Sequence, residues 1–413
     1  ILSILPKNIS RRGFLRGAAA TAAGAAAISV LSSCKGSDTT DENDPIVVES
    51  GTATYVLGSG DIEGKYQEAS EGAGTASLAE AGSWNLPLGC VLRPSEGSWK
   101  PYVMPGTSPA AMTSAGAFSI ASGANTVFLS AATAGGNYVI YDAQCSDSVY
   151  AWIEFDVVTH DWKLFAASLT DGGLGTASAL WQADANYDPP LVCCSGKSVI
   201  WLVMPSTGGS NTSEPSSCYV WQAGASSADE VVRSQGRFGC APSVSDGNVV
   251  LVPRVRVNEG RYYGITAYSL ESNLSNQVAQ LVLPASVTPL SAVYMGGQFV
   301  FSIEKNYGGS TGLLGSMGTY IGSGDGPFIA LPREPVSVVA GKGGVYLVKV
   351  RASHLIVDTN AQTYATLVAP NRCLDFGDYP ASMGTTSTFV TFATVKDEDT
   401  GYPSSVNVRA WTL

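Results

Sequence analysis

Residues 289–303 read PLSAVYMGGQFVFSI, in which two runs of β-branched and aromatic residues flank the turn Met295-Gly296-Gly297-Gln298. Glycines between such runs are a strong signal for a β-hairpin, because glycine adopts the positive φ angles that tight turns require. Two further β runs follow after a polar stretch, at 319–321 and 328–331. The segment therefore predicts a unit of four consecutive antiparallel strands.

The same unit recurs through the C-terminal half of the chain. Each copy opens with a proline, followed by a small turn and a β run; the opening prolines are Pro190, Pro242, Pro289, Pro335 and Pro380, spaced 52, 47, 46 and 45 residues apart. Four strands in about 47 residues, repeated, is the period of a β-propeller blade. The pattern predicts an all-β protein with a β-propeller fold.

Individual strands follow from the β runs of each copy. We predict second strands at 199–203, 249–252, 299–303, 345–348 and 389–392, third strands at 218–221, 263–268, 319–321, 354–357 and 406–411, and fourth strands at 230–232, 278–283, 328–331 and 364–368. The stretch 84–189 has the length of two more units and contains a clear hairpin at 149–155 and 162–165. These counts predict seven blades, with six as the alternative.

The last unit ends at Leu413 without a fourth strand. Because exposed strand edges pair promiscuously, a propeller has to complete this blade. The isolated β segment Ala53–Leu57 is predicted to supply the missing strand and to close the ring, and residues 60–83 are predicted to be a surface excursion.

Composition narrows the functional class. The 413 residues are 45% hydrophobic and only 14% charged, with a formal net charge of −11. This length excludes disorder throughout. The 23 Lys and Arg residues are too few and too dispersed to neutralise a nucleic acid backbone, so no nucleic-acid partner is expected.

The N-terminus resembles a bacterial twin-arginine export signal. Arg11 and Arg12 precede Phe14 and Leu15, and an uncharged, alanine-rich run then extends over residues 18–30. That run is shorter than the roughly 20 apolar residues of a membrane-spanning helix, as expected for a cleaved signal. The segment Leu31-Ser32-Ser33-Cys34 resembles the lipobox at which lipoprotein signals are cleaved and the cysteine is acylated.

This resemblance implies three parts: a signal peptide at 1–33, a lipidated tether at 34–46, and a propeller domain at 47–413. Four basic residues precede Cys34 and no acidic one does, so cleavage takes the net charge from −11 to −15. The chain as a whole resembles bacterial β-propeller lipoproteins. No Trp-Asp blade signature recurs, so it matches no named functional family, and we expect an extracytoplasmic location with a lipid anchor in the membrane.

Cysteine and histidine usage argues against a metal or cofactor. Seven cysteines remain after Cys34, which leaves at least one without an intrachain partner and allows one or two disulfides. No C-x-x-C motif occurs, and the two histidines, His160 and His354, are far apart in sequence. We predict buried structural cysteines, no metal site and no cofactor.

No catalytic motif stands out, and three functions remain open. The first is a rigid, monomeric platform that binds a protein or a glycan. The second is a glycoside hydrolase or polysaccharide lyase with paired carboxylates, drawn from Glu259, Glu304, Asp397 and Asp399, at the mouth of the central channel. The third is a structural factor of the cell envelope.

The binding hypothesis points to the connections between second and third strands. Four of them are long (205–217, 256–262, 304–318 and 396–405), and all are predicted to share one face of the ring. Loops that a rigid scaffold holds in place often carry function. The candidate ligand-facing residues are Arg254, Arg256, Tyr262, Glu304, Lys305, Tyr307, Asp397 and Tyr402.

Overall fold

The computed structural model describes residues 47–48, 52–59, 64–69, 78–106, 112–256, 260–308, 311–324, 326–373 and 377–412. The predicted signal peptide and tether, with Cys34 and the residues Arg11, Arg12, Phe14 and Leu15, lie outside the described residues. Within them the chain is almost entirely β-structure, with a short 3₁₀ helix at Leu313–Gly315. No helix in this part of the chain has the length and apolar character needed to span a membrane.

The described strands form seven sheets of at least four strands each, numbered here in chain order. Sheet 1 contains β4 (Val91–Leu92), β5 (Trp99–Pro105), β6 (Thr113–Ser119) and β7 (Asn125–Leu129). Sheet 2 contains β8 (Tyr138–Cys145), β9 (Val149–Asp156), β10 (Trp162–Thr170), β11 (Gly173–Leu174) and β12 (Ser178–Ala183). Sheet 3 contains β13 (Leu191–Ser195), β14 (Ser198–Val203), β15 (Ser216–Gln222) and β16 (Asp229–Ser234).

The remaining four sheets have the same meander with additional strands. Sheet 4 contains β17 (Ser243–Ser245), β18 (Asn248–Leu251), β19 (Arg254–Arg256), β20 (Tyr262–Ser269) and β21 (Gln277–Val282). Sheet 5 contains β22 (Ser291–Met295), β23 (Gln298–Ile303), β24 (Gly318–Gly322), β25 (Phe328–Leu331) and β1 (Ala53–Tyr55).

Sheets 6 and 7 complete the set. Sheet 6 contains β26 (Ala340–Lys342), β27 (Val345–Lys349), β28 (His354–Asp358), β29 (Thr363–Leu367), β2 (Gln67–Glu68) and β31 (Gly384–Thr385). Sheet 7 contains β30 (Tyr379–Pro380), β32 (Thr388–Lys396), β33 (Pro403–Thr412) and β3 (Ala79–Pro87). The strands of each sheet pair in chain order, apart from the added strands, which are β1, β2, β3, β11, β19 and β31.

Seven clusters of buried apolar side chains fill the gaps between neighbouring sheets. Six clusters join sheets that are consecutive in the chain. The seventh joins the last sheet to the first, because Leu92, Tyr102 and Phe118 of sheet 1 pack with Val390 and Phe392 of sheet 7. The sheets therefore follow one another around a ring.

Burial on both faces explains the hydrophobic runs in the sequence. A strand between two neighbouring sheets has no solvent-facing side, and β9 and β14 are buried at every position. Such strands read as continuous apolar stretches and not as an alternation. The predicted second, third and fourth strands are confirmed, and their ends agree within two residues except in sheet 7. There β32 continues four residues beyond the predicted end at 392, and β33 begins three residues before the predicted start at 406. The first strand of the unit opening at Pro335 begins only at Ala340, because Pro335 makes no more than an isolated bridge to Val350.

The predicted role of Ala53–Leu57 was wrong. Residues 53–55 pair in parallel with β25 of sheet 5, not with the last unit. The strand beside β33 of sheet 7 is β3, which pairs with it in antiparallel register from Ala79 to Pro87. The predicted surface excursion at 60–83 was therefore wrong for residues 79–83. Alanine, glycine and glutamate in this stretch give little β signal, and the strand is held by partners more than 300 residues away.

An N-terminal belt, defined by residues 47–48, 52–59 and 64–69, runs along the outer edges of three consecutive sheets. Val47 bridges Val282 at the edge of sheet 4. The strands β1 and β2 then add in parallel to β25 and β29, the outer strands of sheets 5 and 6. Three belt side chains, Val48, Val56 and Tyr66, are buried in the clusters between these sheets.

The belt covers the sheet edges that are regular. The outer strand is offset by a register shift in sheets 1, 2, 3, 4 and 7. Pairing between β24 and β25, and between β28 and β29, has no such shift. Bulges twist a strand edge and hinder pairing with another chain, whereas a regular edge remains a template for it. The two regular edges are those that β1 and β2 occupy.

This arrangement predicts the effect of detaching the belt. In the variant Val56→Asp with Tyr66→Ser, both buried anchors between sheets 5 and 6 are lost, so the edges of β25 and β29 become available. We expect concentration-dependent association, measured by size-exclusion chromatography with light scattering. The matched control, Lys65→Ser with Gln67→Ser, changes exposed belt residues and should remain monomeric. Equal behaviour of the two variants would show that the belt does not protect these edges.

Candidate binding surface

The connections from second to third strands emerge at the same end of the ring as the connections from sheet to sheet. Neighbouring innermost segments run parallel where they meet, at Ala340 with Gly384 and at Ser95 with Ser382. Each sheet is an antiparallel meander in chain order. Both types of connection therefore lie at one end of the strands, called the loop face below, and the first-to-second turns lie at the other.

The first group of predicted ligand residues lies on strands of sheet 4. Residues 254–256 form β19, which pairs with the start of β20 at Tyr262 and Tyr263. The prediction of a loop over 256–262 was therefore wrong at its two end residues, which belong to strands. The backbone N–H of Arg254 donates to Ser234 Oγ at 2.8 Å. The arginine and Tyr262 are both half-buried, and the side chain of Arg256 lies outside the described residues.

The second group lies on the neighbouring sheet 5. Lys305 Nζ is 5.0 Å from the centre of the Tyr307 ring. The Tyr307 hydroxyl donates to the carbonyl of Thr288 at 3.1 Å, and its ring packs against the cluster between sheets 4 and 5. Tyr307 therefore supports the loop, while Lys305 is exposed and Glu304 half-buried.

The third group is on sheet 7, with sheet 6 between it and the second group. The Asp397 carboxylate accepts hydrogen bonds from the backbone N–H and hydroxyl of Thr400, at 2.8 and 2.9 Å, and the first of these is the main cause of its lowered pKa. Asp397 therefore shapes its own turn. Tyr402 is different, because 75% of it is exposed.

The described carboxylates of the hydrolase hypothesis do not all converge, although Asp397 and Asp399 share one turn. Glu304 is in sheet 5, whereas Asp397 and Asp399 are in sheet 7, and Glu259 lies outside the described residues. At the opposite end of the strands, a polar contact joins sheets 6 and 4. Thr385 Oγ1 donates to Asp246 Oδ2 at 2.7 Å.

A serine and a lysine approach each other near the ring centre. Lys100 Nζ donates to the carbonyl and the Oγ of Ser95, at 2.9 and 3.3 Å, and burial lowers the pKa of Lys100 to about 8. A lysine of lowered pKa beside a serine is one form of nucleophile and base. Ser95 Oγ, however, donates to the carbonyl of Trp99 at 2.9 Å, and both residues are buried. The contact holds the segment 95–100 in place and offers no access to a substrate.

The strongest buried polar cluster is in sheets 6 and 7. Asp378 accepts from Lys349 Nζ at 3.1 Å and from His354 Nδ1 at 2.6 Å, and all three side chains are at least 98% buried. His354 Nε2 has no hydrogen-bond partner among the described residues. Burial lowers the pKa of His354, which favours the neutral form of this side chain. Burial is the largest single influence on Asp378 and acts to raise its pKa, but the interactions with His354 and Lys349 together outweigh it and the pKa is lowered.

These two pKa directions predict lability in acid. The unfolded chain binds a proton at His354 below its ordinary pKa of 6.5, while the folded chain does not, so the free energy of unfolding should fall as the pH drops below about 6.5. A second loss follows below about 3.8, where Asp378 stays ionised only in the folded state. We expect His354→Gln to reduce the pH dependence between pH 7 and 5, measured by chemical denaturation.

The chain offers a control for this experiment. His160, the other histidine, lies at the turn between β9 and β10, with its ring 5.6 Å from that of Phe155. His160→Gln tests the loss of a histidine outside the buried cluster. If the two variants change the pH dependence equally, the cluster is not its source.

One cleft on the loop face lies between sheets 1 and 2. Its cavity of about 240 Å³ is lined by Met112, Thr113, Ala131, Ala132, Thr133, Gly135, Gly136 and Tyr138. One wall is fixed by the fully buried Glu154, whose carboxylate accepts from the backbone N–H groups of Thr133 and Ala134 at 2.9 and 2.7 Å. The Thr133 hydroxyl and the Trp152 indole N–H donate to its other oxygen.

Exposed apolar side chains lie at the edge of this cleft and in neighbouring connections. Met112 is 56% exposed at its edge, and Val157 and Val158 are 45% and 68% exposed in the turn between β9 and β10. The N–H of Val157 donates to the carbonyl of Asn137, which precedes the cleft residue Tyr138. Two further apolar residues, Leu88 and Tyr402, are exposed on connections of sheets 7 and 1. The loop face therefore has an apolar arc over the consecutive sheets 7, 1 and 2.

Sequence reasoning found Tyr402 in this arc and missed the rest. Adjacent valines at 157–158, inside a hairpin connection where polar residues are expected, were the available signal. None of the seven described cysteines forms a disulfide, and six are buried, as Cys373 alone is partly exposed. Among the described residues no group of His, Cys, Asp and Glu could hold a metal ion.

Comparison with known proteins identifies the fold. No protein-family model matches the chain, and no curated protein is similar to it in sequence. The β-propeller domain of the Trilobed protease from Pyrococcus furiosus aligns with 78% of this chain and 95% of its own, at 9% identity and a TM-score of 0.50. The chain is therefore an all-β protein with a β-propeller fold.

A second solved structure is the acylaminoacyl peptidase of Pyrococcus horikoshii. It aligns with 78% of this chain at 10% identity and a TM-score of 0.48. The alignment covers 51% of that protein's own length. Identities this low show the fold alone.

Proposed function

We propose that this protein is a lipid-anchored, extracytoplasmic β-propeller of seven blades that binds a partner protein through the apolar arc of its loop face. Each of the seven sheets is taken as one blade, and β3, paired with β33, closes the ring. The paired arginines at 11 and 12 and the lipobox ending at Cys34 support export and anchoring. A monomeric ring fits this role, since its rigid sheets hold the loops in fixed positions.

One observation carries the binding proposal: large apolar side chains are exposed on connections of three consecutive sheets, at one end of the ring. Scattered apolar residues are normal on protein surfaces, but a grouping around a formed cleft marks interaction sites. On sheets 4 and 5, the side chains of Arg254, Tyr262 and Tyr307 are instead partly buried. We therefore place the partner over sheets 7, 1 and 2.

The anchoring proposal is tested by fractionation. Cys34→Ala removes the acylated side chain, and we expect the protein to leave the membrane fraction, because no membrane-spanning helix replaces the anchor among the described residues. Replacing Arg11 and Arg12 together by Lys should retain the protein in the cytoplasm. Membrane retention of both variants, at wild-type level, would contradict a lipoprotein.

The binding proposal is tested by photo-cross-linking in cells. A photoreactive amino acid is placed at Met112 or Val158 in the arc. The controls are Val127 and Val278, which are similarly exposed on the outer strands β7 and β21. We expect a protein adduct from the arc positions and none from the outer strands. Adducts at all four positions, or none at the arc, would count against this surface.

A further inference from the structure

We infer that the cleft between sheets 1 and 2 binds a peptide segment that carries an apolar side chain beside a Lys or Arg. This inference rests on the proposed function, because it names the part of the partner that the arc would contact. It follows from the size of the cleft, the charge around it and the rigidity of its walls.

The size of the cleft favours a side chain over a free small molecule. Pockets for drug-sized ligands usually measure about 300–1,000 Å³. The cavity here is about 240 Å³, and its rim is formed by Met112, with Val157 and Val158 beside it. Methionine is flexible and polarisable and adapts to differently shaped partners. The cleft suits one or two apolar side chains of a larger partner, which would also cover the exposed rim.

The charge around the cleft favours a cationic neighbour. Tyr138 lines the cavity, and its pKa is raised by burial and then by the carboxylates of Asp161, Asp156 and Glu154. Lys163 places one positive charge near these three carboxylates, with its Nζ 5.2 Å from the centre of the Tyr138 ring. The whole chain is also acidic, with a net charge of −11. A partner with Lys or Arg next to its apolar side chain therefore complements the site, whereas an acidic one is repelled.

The same groups keep the cleft in its shape. The fully buried Glu154 carboxylate accepts four hydrogen bonds, three of them from Thr133 and Ala134, so the wall at 133–134 is held in place. Sheets 1 and 2 are joined across the cleft, because the backbone N–H of Ile140 donates to Thr113 Oγ1 at 2.6 Å. The Asp156 carboxylate accepts from the N–H of Val158 at 2.8 Å and fixes the valine turn. A preformed site avoids the entropy cost of ordering loops on binding.

The test uses a fluorescein-labelled peptide, Gly-Ser-Arg-Leu-Lys-Phe-Arg-Ser-Gly, and the full chain carrying Cys34→Ala. Binding is measured by fluorescence anisotropy at low salt. We expect Met112→Ser with Val158→Ser to weaken binding about tenfold, because two apolar contacts are lost. The matched control, Val278→Ser with Val368→Ser, removes similarly exposed valines away from the cleft and should leave binding unchanged.

Two altered peptides separate the contributions. Replacing Leu and Phe by Ser tests the apolar part, and replacing Arg and Lys by Glu tests the charge; each should abolish binding. Equal binding of the Ser peptide would show a purely electrostatic attraction and overturn the inference, as would equal affinity for the arc variant and its control. If the peptide fails while Val158 still gives a protein adduct in cells, the ligand class is wrong and the platform stands. If neither the peptide binds nor Val158 gives a protein adduct, the proposed binding platform is also rejected.

Discussion

The outer edge of each sheet needs protection, and this constraint organises the periphery of the molecule. An unpaired strand edge attracts other chains, and a ring of sheets has as many such edges as sheets. This protein uses two remedies. A register shift distorts five of the outer strand pairs, and an added parallel strand covers the two that are regular, β25 and β29. The path of the N-terminal segment follows from where the regular edges lie.

The repeated strands were predictable because their environment is the same in every copy. A strand between two neighbouring sheets, such as β14 in sheet 3, is apolar throughout, and the turn before it is rich in glycine. The partners of 53–55 and 79–87 were not predictable from local pattern. Their registers are set by Phe328–Ala330 and by Ser405–Thr412, hundreds of residues away, and a short strand of three residues fits several edges equally well by composition.

The candidate site shows the same limit. Patterns of charge and aromaticity led to Asp397 and Tyr307, yet the first holds its own turn and the second is bonded to Thr288. Whether a polar atom is already satisfied depends on contacts that a single sequence does not reveal. The exposure of an apolar side chain also depends on contacts that a single sequence does not reveal. Val158 and Val199 are both valines in β-rich segments, but only Val158 faces solvent. Tyr402 is in a turn between two long strands, and its exposure matches the prediction of a loop there.

The belt also has a mechanical meaning. In a chain tethered ahead of residue 47, any pull on the tether acts first on Val47 and Val48, which are joined to the edge of sheet 4 by a bridge and the hydrogen bond from Val48 N–H to the Val282 carbonyl. The load then passes to short parallel strands of three and two residues before it reaches the nine-residue strand β3. Force would peel these contacts one after another. Because each belt contact is short, these contacts would detach in steps before the load reaches β3.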